Sequence, residues 1–124
     1  MKLIDLKGKE HKIQIKPSNN PVKSEAACRS KLQYLTGQYL RAKYPFDVIL
    51  EDFKCPDGFD LDFFLPKRKL AYEVQGRQHT EFVPFFHKNE AGFKEHQTRD
   101  SNKKRFCEIN EITLIYIYTE EDLK

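Results

Sequence analysis

The stretch from Asp60 to His79 constrains this chain most. Two β-prone runs, Asp60-Leu61-Asp62-Phe63-Phe64-Leu65 and Leu70-Ala71-Tyr72-Glu73-Val74-Gln75, are joined by the polar link Pro66-Lys67-Arg68-Lys69, which predicts a hairpin. Period-two alternation puts Phe59, Leu61, Phe63 and Leu65 on one face and Asp60, Asp62 and Phe64 on the other. Across the pair, the Asp62 carboxylate is directed toward Glu73 and Gln75. Acids on one strand face usually form only its solvated side. Here they sit inside apolar strands, Phe64 shares the Asp62 face, and the second run ends in Gly76-Arg77-Gln78-His79 instead of a small polar loop. Like charges buried together need a neutralising cation.

The flanking sequence supplies the remaining elements. Leu3–Leu6 and Lys12–Ile15 around Lys7-Gly8-Lys9-Glu10 suit a β-hairpin, and Pro17–Pro21 breaks the chain, so residues 1–20 form an N-terminal hairpin and linker and 21–124 one domain. From Ser24 to Lys43, Cys28, Leu32, Leu35, Tyr39 and Ala42 recur at helical steps. Ser24 would cap this helix and place Glu25 in its first turn, where the helix dipole favours a carboxylate whatever its function. Phe46–Phe53 reads as a strand, Cys55-Pro56-Asp57-Gly58 as a turn and Thr80–Asn89 as a partly apolar loop. Glu90–Ile109 reads as a helix stopped at Asn110, Ile112–Tyr118 as a buried strand, and Thr119–Asp122 as a capped last turn. The predicted order is hairpin, α, β, β, β, α, β: an α/β chain of the α+β kind, with a mixed sheet flanked by helices.

With 124 residues, 22 Lys+Arg and 19 Asp+Glu, there is room for one core and none for a separate cofactor domain. Apolar runs such as Phe82–Phe86 fall far below the roughly 20 residues of a membrane helix, so no membrane partner and a cytoplasmic location are expected. Cys28, Cys55 and Cys107 lack any Cys-x-x-Cys spacing, which argues against a disulfide framework or a zinc ribbon; Cys28 and Cys107 read as small core residues. There is no Gly-x-Ser-x-Gly elbow, phosphate loop or dinucleotide fingerprint.

The hairpin acids suit a hard cation. Mg²⁺ is held by one or two carboxylates plus waters and phosphate oxygens, so Asp62, Glu73 and the Val74 carbonyl would form half a shell. His79, just beyond the second strand, can take or give a proton near neutral pH. In the second helix Gln97, Asp100 and Lys104 share a face. Asp100 would orient His79 or hold a metal-bound water, and Lys103 or Lys104 would meet phosphate; the alternative is a plain solvent face with an Asp100–Lys104 pair.

Glu25, Asp62, Glu73-Val74-Gln75-Gly76 with His79, and Arg99-Asp100-x-x-Lys103 resemble the very-short-patch-repair-like branch of the PD-(D/E)XK nuclease superfamily, a branch that includes phage-borne homing endonucleases. The resemblance runs from about Lys23 to Tyr118. It implies a restriction-endonuclease-like αβββαβ core and a DNA endonuclease dependent on Mg²⁺, with Mn²⁺ able to substitute. Asp62 would bind the ion, His79 would act as acid/base, and Glu25 and Asp100 would complete the site. Glu73 and Gln75 match the Glu-x-Lys position, with glutamine where the superfamily has lysine. That departure removes a fixed cation beside the phosphate, and His79 is its natural substitute. Arg77, Gln97, Arg99, Lys103 and Lys104 would hold the DNA, and Phe82, Phe85 and Phe86 would either stack on bases or pack in the core. The implied partners are DNA and either a second copy of the chain or a separate DNA-targeting protein, in an intracellular and phage-encoded setting. Two rival readings are a catalytically inactive DNA-binding module on the same fold and a protein-interaction domain using the Phe82–Phe86 loop.

Overall fold

The computed structural model describes residues 1–75 and 90–124, with the backbone alone for 90–97 and 99. In chain order the elements are β1 (Lys2–Ile4), β2 (Glu10–Lys12), α1 (Lys31–Lys43), β3 (Leu50–Lys54), β4 (Asp60–Leu65), β5 (Leu70–Val74), α2 (Glu90–Ile109) and β6 (Thr113–Ile117). Strands β3 to β6 form a mixed sheet in that order, antiparallel except for the parallel β5–β6 pair. The fold is α+β. Gly58, at φ +93°, closes the β3–β4 turn in a conformation that suits glycine.

The sheet is buried on both sides. Phe53, Leu61, Phe64 and Ala71 pack with Phe106 and Cys107 of α2, while Phe63, Leu65 and Tyr72 pack with Leu40 of α1. Gly37 brings α1 close: a Cβ there would lie 3.0 Å from Val22 and 3.3 Å from Phe63. The β1–β2 hairpin lies outside the main sheet and is fastened to it. Leu3 is wholly buried in the α2-side core, and Asn110 binds Ile4 from both ends of its amide, at 2.7 and 2.8 Å. Asn110 also fills the helix-stop role, its Nδ2 donating to Phe106 O at 2.9 Å.

Several expectations are corrected. Helix α1 starts at Lys31, capped by Ser30, whose hydroxyl accepts from the Gln33 N–H at 3.1 Å; Ser24 instead precedes a short 3₁₀ turn, Glu25–Ala27. The inward face of α1 is Gln33, Thr36, Gly37 and Leu40, with Leu32 and Tyr39 beside it and Ala42 exposed. Cys28 is half-buried. The cause is a strap. Buried Glu51 accepts from the Lys23 N–H at 2.9 Å and from Gln33 Nε2 at 3.1 Å, which ties residues 23–33 to β3 and delays the helix. The strand predicted from Phe46 begins at Leu50, and Phe46 is fully exposed.

The period-two faces of β4 also break. Leu61 shares a core with Phe64, three residues away, and Leu50 shares it with Phe53. A regular strand does not give that spacing. The irregularity falls at Asp52, in the left-handed region at φ 53°, and at Asp62. The β3–β4 register pairs Glu51 with Phe63 and Phe53 with Leu61 but skips Asp52 and Asp62; the β4–β5 register begins only at Phe63–Tyr72.

Candidate functional site

Where the ladder opens, side chains replace backbone partners. The Asp62 N–H donates to Glu73 Oε2 at 3.2 Å, and the Val74 N–H donates to Asp62 Oδ2 at 2.8 Å. Each acid therefore satisfies the neighbouring strand, as buried amides require. Asp62 and Glu73 are thereby brought together, at 8% and 2% exposure. Gln75 is buried just beyond β5, its N–H donating to Ile117 O at 2.9 Å.

Lys103 of α2 reaches in to Glu73, with Nζ 2.7 Å from Oε1. The contact is a charge-assisted ion pair that occupies the Oε1 side of the Glu73 carboxylate. Burial, then Asp62, push the Glu73 carboxyl well above its ordinary value, and Lys103 pulls it partly back. Burial works against the Lys103 ammonium, but Glu73, Asp62 and Asp100 more than offset it and hold its pKa above that of an ordinary lysine. Tyr116, opposite Glu73 in the β5–β6 register, has its phenol pushed up to about 12 by burial and by Asp100 and Glu73. Cys107 is pushed up to about 12 by burial and by Glu73, so its thiol is an inert wall of the site.

On the open side Arg29 binds Asp62. Its Nη2 lies 2.7 Å from Asp62 Oδ1 and 2.8 Å from Asp52 Oδ1, while Lys23 pairs with the other Asp52 oxygen. Burial disfavours the Arg29 guanidinium, but Asp62 and Asp52 outweigh it and raise its pKa. The result is a line of three acids, Asp52, Asp62 and Glu73, compensated by Lys23 and Arg29 outside and Lys103 inside.

Of the residues singled out in the sequence, Asp62, Glu73, Val74, Asp100 and Lys103 fall in this neighbourhood. Lys103, expected at phosphate, is turned inward to Glu73. Lys104 is exposed. Glu25 is exposed on the 3₁₀ turn, and its carboxylate makes no ion pair or hydrogen bond among the described residues. It stays outside the cluster because the strap keeps it off α1. Arg77, His79 and the Phe82–Phe86 loop lie outside the described residues, as do the side chains of Gln97 and Arg99. Sequence reasoning missed Arg29, Asp52 and Tyr116. Only Tyr116 had a legible signal, its place in the last strand beside the acidic one.

The donor set can be tested for the hard cation that the resemblance implies. Among the described residues no three His, Cys, Asp or Glu side chains form a ready cage. Two adjacent buried carboxylates, Asp62 and Glu73, fit an ion such as Mg²⁺ in donor type, since it needs only one or two protein carboxylates, and here they are paired with Arg29 and Lys103.

Comparison with known proteins gives viral relatives. The chain is 45% identical over 113 residues to Uncharacterized protein 307L of Invertebrate iridescent virus 6, covering 80% of this chain and 57% of 307L. It is 32% identical over 118 residues to Uncharacterized protein 094L of Frog virus 3, covering 94% of this chain and 74% of 094L. This chain belongs to the 094L family. A third relative, Uncharacterized protein 033L of Invertebrate iridescent virus 3, is 36% identical over 61 residues, 49% of this chain and 31% of 033L. The chain spans little more than half the length of 307L, at 57%. No protein-family model matches the chain, and no solved structure does. No described helix is long and apolar enough to cross a membrane.

Proposed function

We propose that this chain is a metal-dependent DNA endonuclease acting inside cells infected by the virus that encodes it. The observation that carries the reading is the interlocked pair Asp62–Glu73, two buried carboxylates set where their strands part, with the Lys103 ammonium against one of them. Asp62, Glu73 and the Val74 carbonyl would hold Mg²⁺ or Mn²⁺, which when bound supplies a Lewis acid for the scissile phosphate. Lys103 stands in for the lysine that Gln75 replaces: it enters from α2 and keeps a fixed positive charge at Glu73. That assignment relieves His79 of the substitute role and leaves it the acid/base work that its residue type suits. Asp100 holds the Lys103 charge from its own helix. Exposed Lys104, with Arg77, Gln97 and Arg99, serves the DNA backbone.

The test is incubation of the full chain with supercoiled, linear and branched DNA, with and without Mg²⁺, beside an Asp62→Asn control. Nicking that needs both the ion and Asp62 is the expected result; DNA left intact in every arm refutes the enzyme. A second reading has one observation in its favour. Both carboxylates already carry basic partners, Arg29 and Lys103, as an inactive DNA-binding module would require. That module predicts salt-sensitive DNA binding without cleavage.

A further inference from the structure

Arg29 is the odd member of the cluster. Its side chain is 63% exposed, yet it bridges two carboxylates that the fold takes trouble to present: Asp62, at the break in the ladder, and Asp52, held at φ 53° within a strand. Such a backbone is costly for a non-glycine residue and persists only where its surroundings demand it. Asp62 Oδ2 accepts from the Val74 N–H and Oδ1 from Arg29, so a cation that takes Oδ1 must displace the guanidinium. Nearby, Glu73 Oε1 is held 2.7 Å from the Lys103 ammonium, whose side chain is 19% exposed, so of the two cations on this acid pair Arg29 is the more exposed. A guanidinium and a divalent ion cannot share Oδ1 without strong like-charge repulsion.

We propose that Arg29 is a displaceable counter-ion: it holds Asp62 until a divalent cation takes that carboxylate, then turns its guanidinium to a backbone phosphate. A guanidinium pairs with carboxylate and phosphate in the same forked geometry, so the exchange replaces one oxyanion by another. Cation and phosphodiester binding then reinforce each other, each drawing Arg29 toward the arrangement that favours the other. The phosphate half rests on the nuclease reading above. The cation half stands on the cluster alone.

The experiment measures Mn²⁺ binding to the full chain by electron paramagnetic resonance without DNA, for the wild type, Arg29→Gln, Arg29→Lys and Asp62→Asn. Removing the competing charge should tighten Mn²⁺ binding about tenfold in Arg29→Gln, while Arg29→Lys stays near wild type. Asp62→Asn should lose the site. A merely structural arginine would weaken binding in Arg29→Gln, so that result, or equal affinity, or no binding by either protein, overturns the proposal. With Ca²⁺ as a non-reactive ion, the wild type should gain a slope of roughly one phosphate contact in the salt dependence of duplex binding, and Arg29→Gln should not. Equal slopes overturn the phosphate half. If Mn²⁺ affinities follow the expected order but no DNA is cut, the counter-ion stands and the nuclease falls. Cutting with unchanged Mn²⁺ affinity in Arg29→Gln does the opposite: the nuclease stands and the counter-ion falls.

Discussion

Glu73 and Asp62 face one another across a single strand pair, yet they are neutralised in opposite settings. Lys103, 19% exposed at its side chain, meets Glu73 under α2; Arg29, 63% exposed, meets Asp62 from the solvent side. Coulomb attraction between unit charges grows as surrounding water is removed, but so does the cost of stripping the ions. The inner pair is therefore part of the fold, where losing one partner strands the other. The outer pair is cheap to break and so available for exchange. One acidic cluster can combine a fixed charge with a removable one because one of its cations is shielded beneath α2 and the other is largely exposed.

The sharpest way to break this contrast is Lys103→Met. Stranding Glu73 should cost about 3–5 kcal/mol in denaturant unfolding at alkaline pH. The deficit must shrink in acid. Glu73 is raised by burial and by Asp62 above its ordinary 4.5, so its contribution favours the fold below that pH and is lost as pH climbs through the folded value. Lys103 limits that loss, and without it the loss deepens. A pH-independent deficit would mean that the pair is not electrostatic. Adding Glu73→Gln to Lys103→Met should recover roughly 2 kcal/mol, measured in the same way.

Asp62→Ala comes next, at about 1–3 kcal/mol, because the Val74 N–H loses its acceptor; Asp62→Asn keeps an oxygen there and should cost less. Thermal melts of the two variants decide whether hydrogen bonding or charge dominates at this residue. Arg29→Gln should cost no more than about 1 kcal/mol, and the difference should fade in high salt. A larger, salt-resistant loss would place Arg29 with the inner set. Asp52→Gly should be smallest. Relief of the left-handed backbone, about 1 kcal/mol, offsets the lost pairs with Lys23 and Arg29, leaving the melting temperature nearly unchanged.

Much of the frame could be read from residue order. Alternation on either side of Pro66–Lys69 announced the hairpin, Gly58 its neighbouring turn, and Asn110 the helix stop, because each is a local rule expressed within a few residues. The convergence of Asp62 on Glu73 followed from the same alternation, although the bonds that hold it arise from the broken ladder. The start of α1 was not legible. Glu51 competes for residues 23–33 across a gap of 28 residues from Lys23, and no periodicity encodes such a tie. Arg29 was invisible for that reason, since a residue on a strap belongs to no helical face. Lys103 was noticed, but its direction was not: a lysine on a polar helix reads as solvated until a buried carboxylate lies beneath it.

The clasp between Asn110 and Ile4 links positions 106 apart. Leu3 therefore has no completed seat until the last turn of α2 has left the ribosome. During synthesis β1 has neither this clasp nor the Phe106 side of its core, so its docking is gated by translation of residues far downstream.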